Sequence, residues 1–387
     1  MDCTNVAVRV LLTGQIFVKI DYIRSGLMDN EVTVLGATGY TGQLVVEELQ
    51  RLRIPFDIAG RSATKLAQLQ QRLGLGDDVN QIVADPTQPS TLPNLFQKNT
   101  RVLVNCAGPF TRLGEPVVRA AVQAGVHYLD ITGEQGFMAR VFDQYDLAAQ
   151  LKNCALIPAC GVEYALSNWL AALAAQDLEP LDSILTATNT TGIQTTSGTQ
   201  LSLLRVLAEA GIGWENGRRV RRLAGSQSRS LKFPSGTYTG VWSPFGETIT
   251  LPRQFQVKNV GCYMTMPAPF AVSLRVFAPL VPITSQLMSG FFERVLKSGK
   301  GPSPTDRSSG RWEILAQAES SRGKRSAILT GNDAYGLTAH IIGYAVGKLL
   351  SSEFKGKGAL GPAQAFEPRA ALEYLGDFGV KFELKVL

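Results

Sequence analysis

Short apolar runs and amphipathic stretches alternate in regular order through the first half of the chain. Val32 to Leu35 is branched and wholly apolar, the pattern of a strand buried on both faces of a parallel sheet. A turn with three glycines follows, and then QLVVEELQRL sets Leu44, Val45, Leu49 and Leu52 on one helical face. IPFDIAG predicts a second strand, NQIVAD (80–85) a third, and residues 91–99 a short helical connection. Val102 to Asn105 predicts a fourth strand, EPVVRAAVQAG a helix, HYLDIT a fifth strand and NCALIPACG a sixth, ending near Pro158. This alternation predicts an α/β fold with a doubly wound parallel sheet, a Rossmann domain over residues 30–178.

From Asp182 the pattern changes. SILTATNTTG predicts a strand and turn, and SGTQLSLLRVLAEAG a helix started by Ser197 or Thr199, with Leu201, Leu204, Leu207 and Ala208 on its apolar side. WEILAQAESSRGKRSAILTG predicts two antiparallel strands joined across Ser320 to Lys324, and NDAYGLTAHIIGYAVGKLL a helix. A second α+β domain on a mixed sheet is therefore expected over 179–350, for substrate binding or oligomerisation, with 351–387 as a C-terminal tail packed on the body. Residues 1–29 lack a clean signal peptide because Arg9 interrupts the first apolar run. They are expected either to add a strand pair or to form a disordered extension ahead of Met28.

Composition changes this picture little. The 38 basic and 32 acidic residues leave a charge of +6, a modest excess that favours anionic ligands without arguing for nucleic acid. No zinc-finger spacing, RNP-like aromatic pattern or long basic block is present. The five irregularly spaced cysteines suggest reduced thiols in a cytoplasmic protein, and two histidines make a histidine-rich metal site improbable. The basic stretch with Arg218, Arg219, Arg221 and Arg222 reads as a solvated loop or edge strand, or as a surface for an acidic partner, phosphopantetheine or a membrane. Residues 266–292 are strongly apolar, but Pro269, Pro279, Pro282 and Arg275 argue against a spanning helix. A substrate-lining segment, a peripheral membrane contact, plain core and an oligomer contact, such as a homodimer's, remain alternative readings.

The chemistry concentrates at the strand ends. Gly36 suits the tight turn, Gly39 lets a pyrophosphate approach the backbone, and Gly42 lets the helix lie close to the sheet. Thr38, Tyr40 and Thr41 complete this turn and helix start, whose unpaired amides would hold a diphosphate. An NAD site usually ends its second strand with Asp or Glu; here Gly60-Arg61-Ser62 stands instead, with Lys65 a turn later. A guanidinium pairs with a ribose 2′-phosphate where a carboxylate would repel it, so Arg61, Ser62 and Lys65 point to NADP(H). Asp85 is placed to face the adenine, and Ala107, Gly108, Pro109 and Phe110 to meet the nicotinamide side. Tyr128 is a candidate proton donor or a packing residue. Asp130 and Glu134 could position substrate or cap neighbouring elements, and Glu163 could orient a substrate or a water or be a solvated carboxylate.

GATGYTG (36–42), AGRS (59–62), NCAGPF (105–110), HYLDITGE (127–134), PACGVEYALSNW (158–169) and TTGIQTTSGTQLSLL (190–204) together resemble the saccharopine-dehydrogenase-like oxidoreductases. The sequence is most similar to the branch with the trans-acting enoyl reductases of lipid biosynthesis. That resemblance implies NADP(H) or NAD(H) in the first domain, a second domain on a mixed sheet, and in some members a lipid or polyketide substrate. It covers roughly residues 30–350 and weakens after about 205. One departure bears on substrate: the enoyl reductase branch has GFDS(I/V)P where this chain has Gly161-Val162-Glu163-Tyr164-Ala165. The expected function is NADPH-dependent reduction of a hydrophobic acceptor, an enoyl group on a lipid or isoprenoid, by direct hydride transfer. The alternatives are a saccharopine-like amino-acid dehydrogenase and a non-catalytic NADP-binding, lipid-associated protein.

Overall fold

The computed structural model describes residues 30–196, 199–200, 210–277 and 301–386. Residues 1–29, most of the expected helix over 197–211 and most of the apolar stretch 266–292 lie outside the described residues. Elements run in the order β1 (Val32–Leu35), α1 (Tyr40–Arg51), β2 (Phe56–Gly60), α2 (Ala63–Leu73), β3 (Gln81–Val83), a 3-10 turn (Pro89–Leu95), β4 (Val102–Asn105) and α3 (Phe110–Ala124). Next come β5 (His127–Asp130), α4 (Gln135–Arg140), a π turn (Val141–Tyr145), α5 (Asp146–Leu151), β6 (Ala155–Ile157) and α6 (Val162–Ala175). β7 (Leu181–Thr191) opens the second sheet. It is followed by β8 (Ala210–Glu215), β9 (Arg218–Leu223), β10 (Ser228–Phe233), β11 (Gly236–Trp242), α7 (Glu247–Gln254), β12 (Val257–Met266) and α8 (Ala268–Phe277). The chain finishes with α9 (Pro304–Ser309), β13 (Arg311–Ser320), β14 (Gly323–Asn332), α10 (Ala334–Leu350), β15 (Gly358–Ala359), α11 (Pro362–Ala365), α12 (Pro368–Gly376) and β16 (Lys381–Val386).

The first sheet has the order β15-β6-β5-β4-β1-β2-β3 and is parallel throughout. All six expected strands are present. The turn after β1 and the loop after β4 meet at the carboxyl edge, where such sheets bind ligands at the change of strand order. The second sheet is mixed, β10-β11-β12-β7-β13-β14-β16, with the β8–β9 hairpin branching from β12. The basic stretch is β9, an edge strand paired, among the described residues, only with β8. Ala210 and Gly211, expected to end a helix, begin β8 instead.

The two sheets share one core. Residues from Val32 in the first sheet to Val380 beside β16 form a single buried cluster. At its centre is α6, with Leu166, Trp169, Leu170 and Leu173 buried and Ala171, Ala172, Ala174 and Ala175 keeping its girth small. A helix apolar on all sides must be covered on all sides, and α6 packs against β7, β13, β14, α7, α10, α11 and α12. It therefore serves as core of the second layer, although the pattern placed it in the first domain. In the described part of the tail, 351–386, β15 pairs with β6 in one sheet and β16 with β14 in the other.

Candidate active site

The glycine turn is built by contact. Gly36 has φ +81°, and a Cβ there would lie 2.8 Å from Ala107 N and Cys106 C, so only glycine lets the β1 and β4 loops touch. A Cβ on Gly42 would fall 2.2 Å from Gly36 O, which accounts for helix α1 lying directly on the turn. Gly39 is different. It is exposed, it meets only Gly36 O, and it caps α1 without a side-chain hydrogen bond. The first intrahelical bond runs from Gln43 N to Gly39 O, leaving the Tyr40, Thr41 and Gly42 amides open at the helix start. This cradle fits a pyrophosphate.

Arg61 and Lys65 are exposed beside the end of β2, and Ser62 begins α2 by accepting from Lys65 N at 3.4 Å. Gly60 puts no carboxylate there. The near acid is Asp85, whose Oδ1 accepts from Thr87 N and Oγ1; these bonds, then the charge of Arg61, hold its carboxyl below the usual range. Asp85 thus caps its own turn. The set fits a ribose bearing a 2′-phosphate, held by Arg61, Lys65 and the α2 amides, with the dihydronicotinamide coenzyme supplying the hydride when bound.

Tyr40 extends the site in a direction the sequence did not show. Its amide belongs to the cradle, but its hydroxyl donates to Pro302 O at 2.7 Å and its ring meets Tyr335 edge-on at 5.1 Å. Tyr335 in turn accepts from Thr196 N and bonds Thr199 Oγ1, both at 2.8 Å. The segment after β7, the start of α10 and the stretch before α9 thereby converge on the phosphate turn.

On the nicotinamide side, polar groups are buried and bonded to one another. Asn105 Oδ1 accepts from Ala107 N at 2.9 Å, and its Nδ2 donates to the Tyr128 hydroxyl at 3.0 Å, fixing the loop that carries Gly108 and Pro109. Tyr128 is fully buried, and burial, then the neighbouring Asp130, raises its hydroxyl well above its ordinary range. Asp130 is also fully buried. Its Oδ1 accepts from Thr132 N and Ala159 N, Oδ2 has no hydrogen-bond partner among the described residues, and burial pushes its carboxyl up to about 7.

Glu134 accepts from Phe110 N at 2.9 Å, from Thr111 N at 2.8 Å and from the Thr111 hydroxyl, so it satisfies the start of α3. Phe110 turns inward against Phe137, so its side chain belongs to the core. His127 is structural: Nδ1 accepts from Ala155 N and burial lowers its ring to about 4. Burial raises the Cys106 thiol to about 12 and Cys160 higher still, which leaves neither a reactive thiolate.

Glu163 stands apart. It lies in the first turn of α6, where Gly133 leaves room: a Cβ on that glycine would sit 3.7 Å from Glu163 Oε2. The side chain reaches solvent, yet the protein crowding it removes enough hydration to raise its carboxyl. Its carboxylate has no hydrogen-bond or ion-pair partner among the described residues. Val162 N beside it donates to Thr338 Oγ1 of α10 at 3.3 Å, a cross-domain cap that no local sequence signal announces.

Comparison with known proteins agrees with this geometry. Residues 32–178 match the family described as saccharopine dehydrogenase NADP binding domain. This segment is an NADP(H)-binding Rossmann domain similar to those of the saccharopine-dehydrogenase-like oxidoreductases. The saccharopine dehydrogenase-like oxidoreductase of Rattus norvegicus is 36% identical over 148 residues, 34% of each chain. The trans-acting enoyl reductase of Mycobacterium ulcerans (strain Agy99) is 35% identical over 136 residues, 34% of this chain and 32% of that one. The two identities are so close that the match does not set the enoyl reductase branch apart from other saccharopine-dehydrogenase-like relatives. The matches span about a third of the length of these curated relatives. Across nearly the whole molecule, the fold is that of apo saccharopine dehydrogenase (L-Glu forming) from Saccharomyces cerevisiae, with TM-score 0.62 and 12% identity over 92% of this chain and 99% of that one. Among the described residues no helix is long and apolar enough to cross a membrane, and no group of side chains is suited to hold a metal.

Proposed function

We propose that this chain is an NADP(H)-dependent oxidoreductase that moves hydride to or from carbon in a carbon–nitrogen bond of an amine or imine, in the manner of a saccharopine-like amino-acid dehydrogenase. The observation that carries this reading is Glu163, an exposed acidic side chain in the first turn of α6 against Gly133, with no hydrogen-bond or ion-pair partner among the described residues. A carboxylate in that position is complementary to an ammonium or iminium group and offers nothing to an uncharged alkene. The saccharopine-dehydrogenase-like relatives support the same class. In this reading Glu163 holds the substrate nitrogen, the Asn105–Tyr128 bond keeps the 106–109 loop in place, and Arg61 with Lys65 selects NADPH.

A second reading, enoyl reduction on a hydrophobic carrier, draws support from the mycobacterial relative and from Phe270 and Val272 on α8, exposed at 70% and 63%. Those side chains suit an acyl chain or peripheral contact with a lipid surface. The test is NADPH consumption by purified protein with matched sets of imine, oxo-acid plus amine, and enoyl-thioester acceptors. Turnover confined to carbon–nitrogen acceptors supports the first reading, and turnover confined to enoyl acceptors replaces it with the second. NADPH binding without turnover on any of them leaves a coenzyme-binding protein.

A further inference from the structure

Among the described residues three strands of the mixed sheet are paired on one side only: β9 on the branching hairpin, and β10 and β16 at the two ends of the main path, which are opposite in character. At one end, β10 carries Arg229 and Lys232, and residues 216–246 around it hold six basic residues and no acidic one. Pairing that edge with its own copy would set cation against cation, so it is guarded against self-association. At the other end β16, Lys381–Val386, pairs among the described residues with β14 alone. Its register sets Phe382 beside Leu329 and Leu384 beside Ala327, both core residues, so Phe382, Leu384 and Val386 lie on the core face. Lys381, Glu383 and Lys385 lie on the other face, where Lys385 Nζ and Glu383 Oε2 form an exposed pair at 3.0 Å. The core does not finish at this edge: Leu384 is 38% exposed and Val386 80%.

We infer that β16 is the contact strand of a homodimer, joining two copies of the mixed sheet edge to edge about a two-fold axis through Leu384. Antiparallel pairing centred there sets Leu384 against its copy, Phe382 against Val386, and Glu383 against Lys385 twice. Apolar residues thus meet on the core face and opposite charges meet on the outer one. Neighbouring registers fail. Centring on Glu383 opposes two carboxylates and pairs Lys381 with Lys385, and centring on Lys385 opposes two ammonium groups. A slip that mispairs the faces would put Leu384 and Val386 on the polar side. A self-complementary patch of this kind is what a two-fold contact requires. The short strand fits a dimer that forms and separates with concentration.

The test is sedimentation velocity of the full chain from low micromolar to near-millimolar concentration, with thermal melting and NADPH titration as controls for folding. The wild type should shift from monomer to dimer over this range. Glu383→Lys alone and Lys385→Glu alone should each weaken dimerisation at least about tenfold, because two attractive pairs become repulsive. Leu384→Glu should leave monomer, and the exchange Glu383→Lys with Lys385→Glu should restore the dimer. A wild type monomeric throughout, a dimer indifferent to Leu384→Glu, or a charge exchange that does not restore association would each overturn the inference. Monomer in every case would mean that the lysines of β16 guard it as the cations of β10 guard the opposite edge.

Discussion

The two halves of the coenzyme crevice are built by different means. On the adenosine side, backbone and exposed cations suffice: Gly36, Gly39 and Gly42 shape the turn, and Arg61 and Lys65 stand in solvent beside it. On the nicotinamide side Asn105, Tyr128, Asp130 and Glu134 are all buried, each holding another group in place, while Glu163 is exposed to solvent. The first half recognises a ligand with parts that cost the fold little. The second keeps two carboxyl groups out of water near the reacting end, and the raised carboxyl of Asp130 couples its protonation to stability.

Glycine 42 should give the sharpest break between the halves. Gly42→Ala drives a methyl into Gly36 O, a backbone atom that cannot move aside, and should cost about 3 kcal/mol or more together with coenzyme binding. Calorimetry and NADPH titration check this; a fully folded, binding variant would refute the close-contact account of the turn.

Asp130→Asn separates the halves by pH. A buried carboxyl whose folded value is raised to about 7, from an ordinary 3.8, contributes stability that is full below pH ~4 and lost as pH rises through ~7. The variant should therefore lose that share of the pH dependence and gain on the order of 2 kcal/mol relative to wild type between pH 5 and 8, read from denaturant midpoints. A difference that stays constant with pH would mean that Asp130 remains ionised.

Glu163→Gln should have the smallest effect and the most specific one. It leaves folding and NADPH affinity unchanged and weakens an amine or imine substrate about tenfold, mainly through KM, since one charge-assisted contact is lost. An equal loss of NADPH affinity would place Glu163 in coenzyme binding instead.

The same contrast explains how much could be read from the sequence. The glycine turn, the alternating strands and the missing carboxylate after β2 are local patterns, and the structure places them on one edge of the parallel sheet. The role of Glu134 depends on a bond to Phe110 and Thr111, more than twenty residues away, and nothing in either stretch indicates the other. Tyr40 could be placed at the helix start but not against Pro302, 262 residues further along the chain, or against Tyr335 beyond it. The apolar run of α6 showed that it is buried, though not that the second sheet would cover it. β15 has two residues, too few for any period to appear, yet it completes the first sheet. Local geometry was legible, and long-range satisfaction of buried polar groups was not.

Bound NADP(H) is expected to rest its 2′-phosphate on Arg61 and Lys65. Titrating purified protein with NADPH and NADH in parallel, for wild type and for the Arg61→Ala, Lys65→Ala double variant, tests it directly. The account predicts wild-type affinity at least about tenfold tighter for NADPH, with the double variant losing that preference while its NADH affinity holds. Equal affinity of the wild type for both coenzymes, or a preference that survives the double substitution, would contradict it.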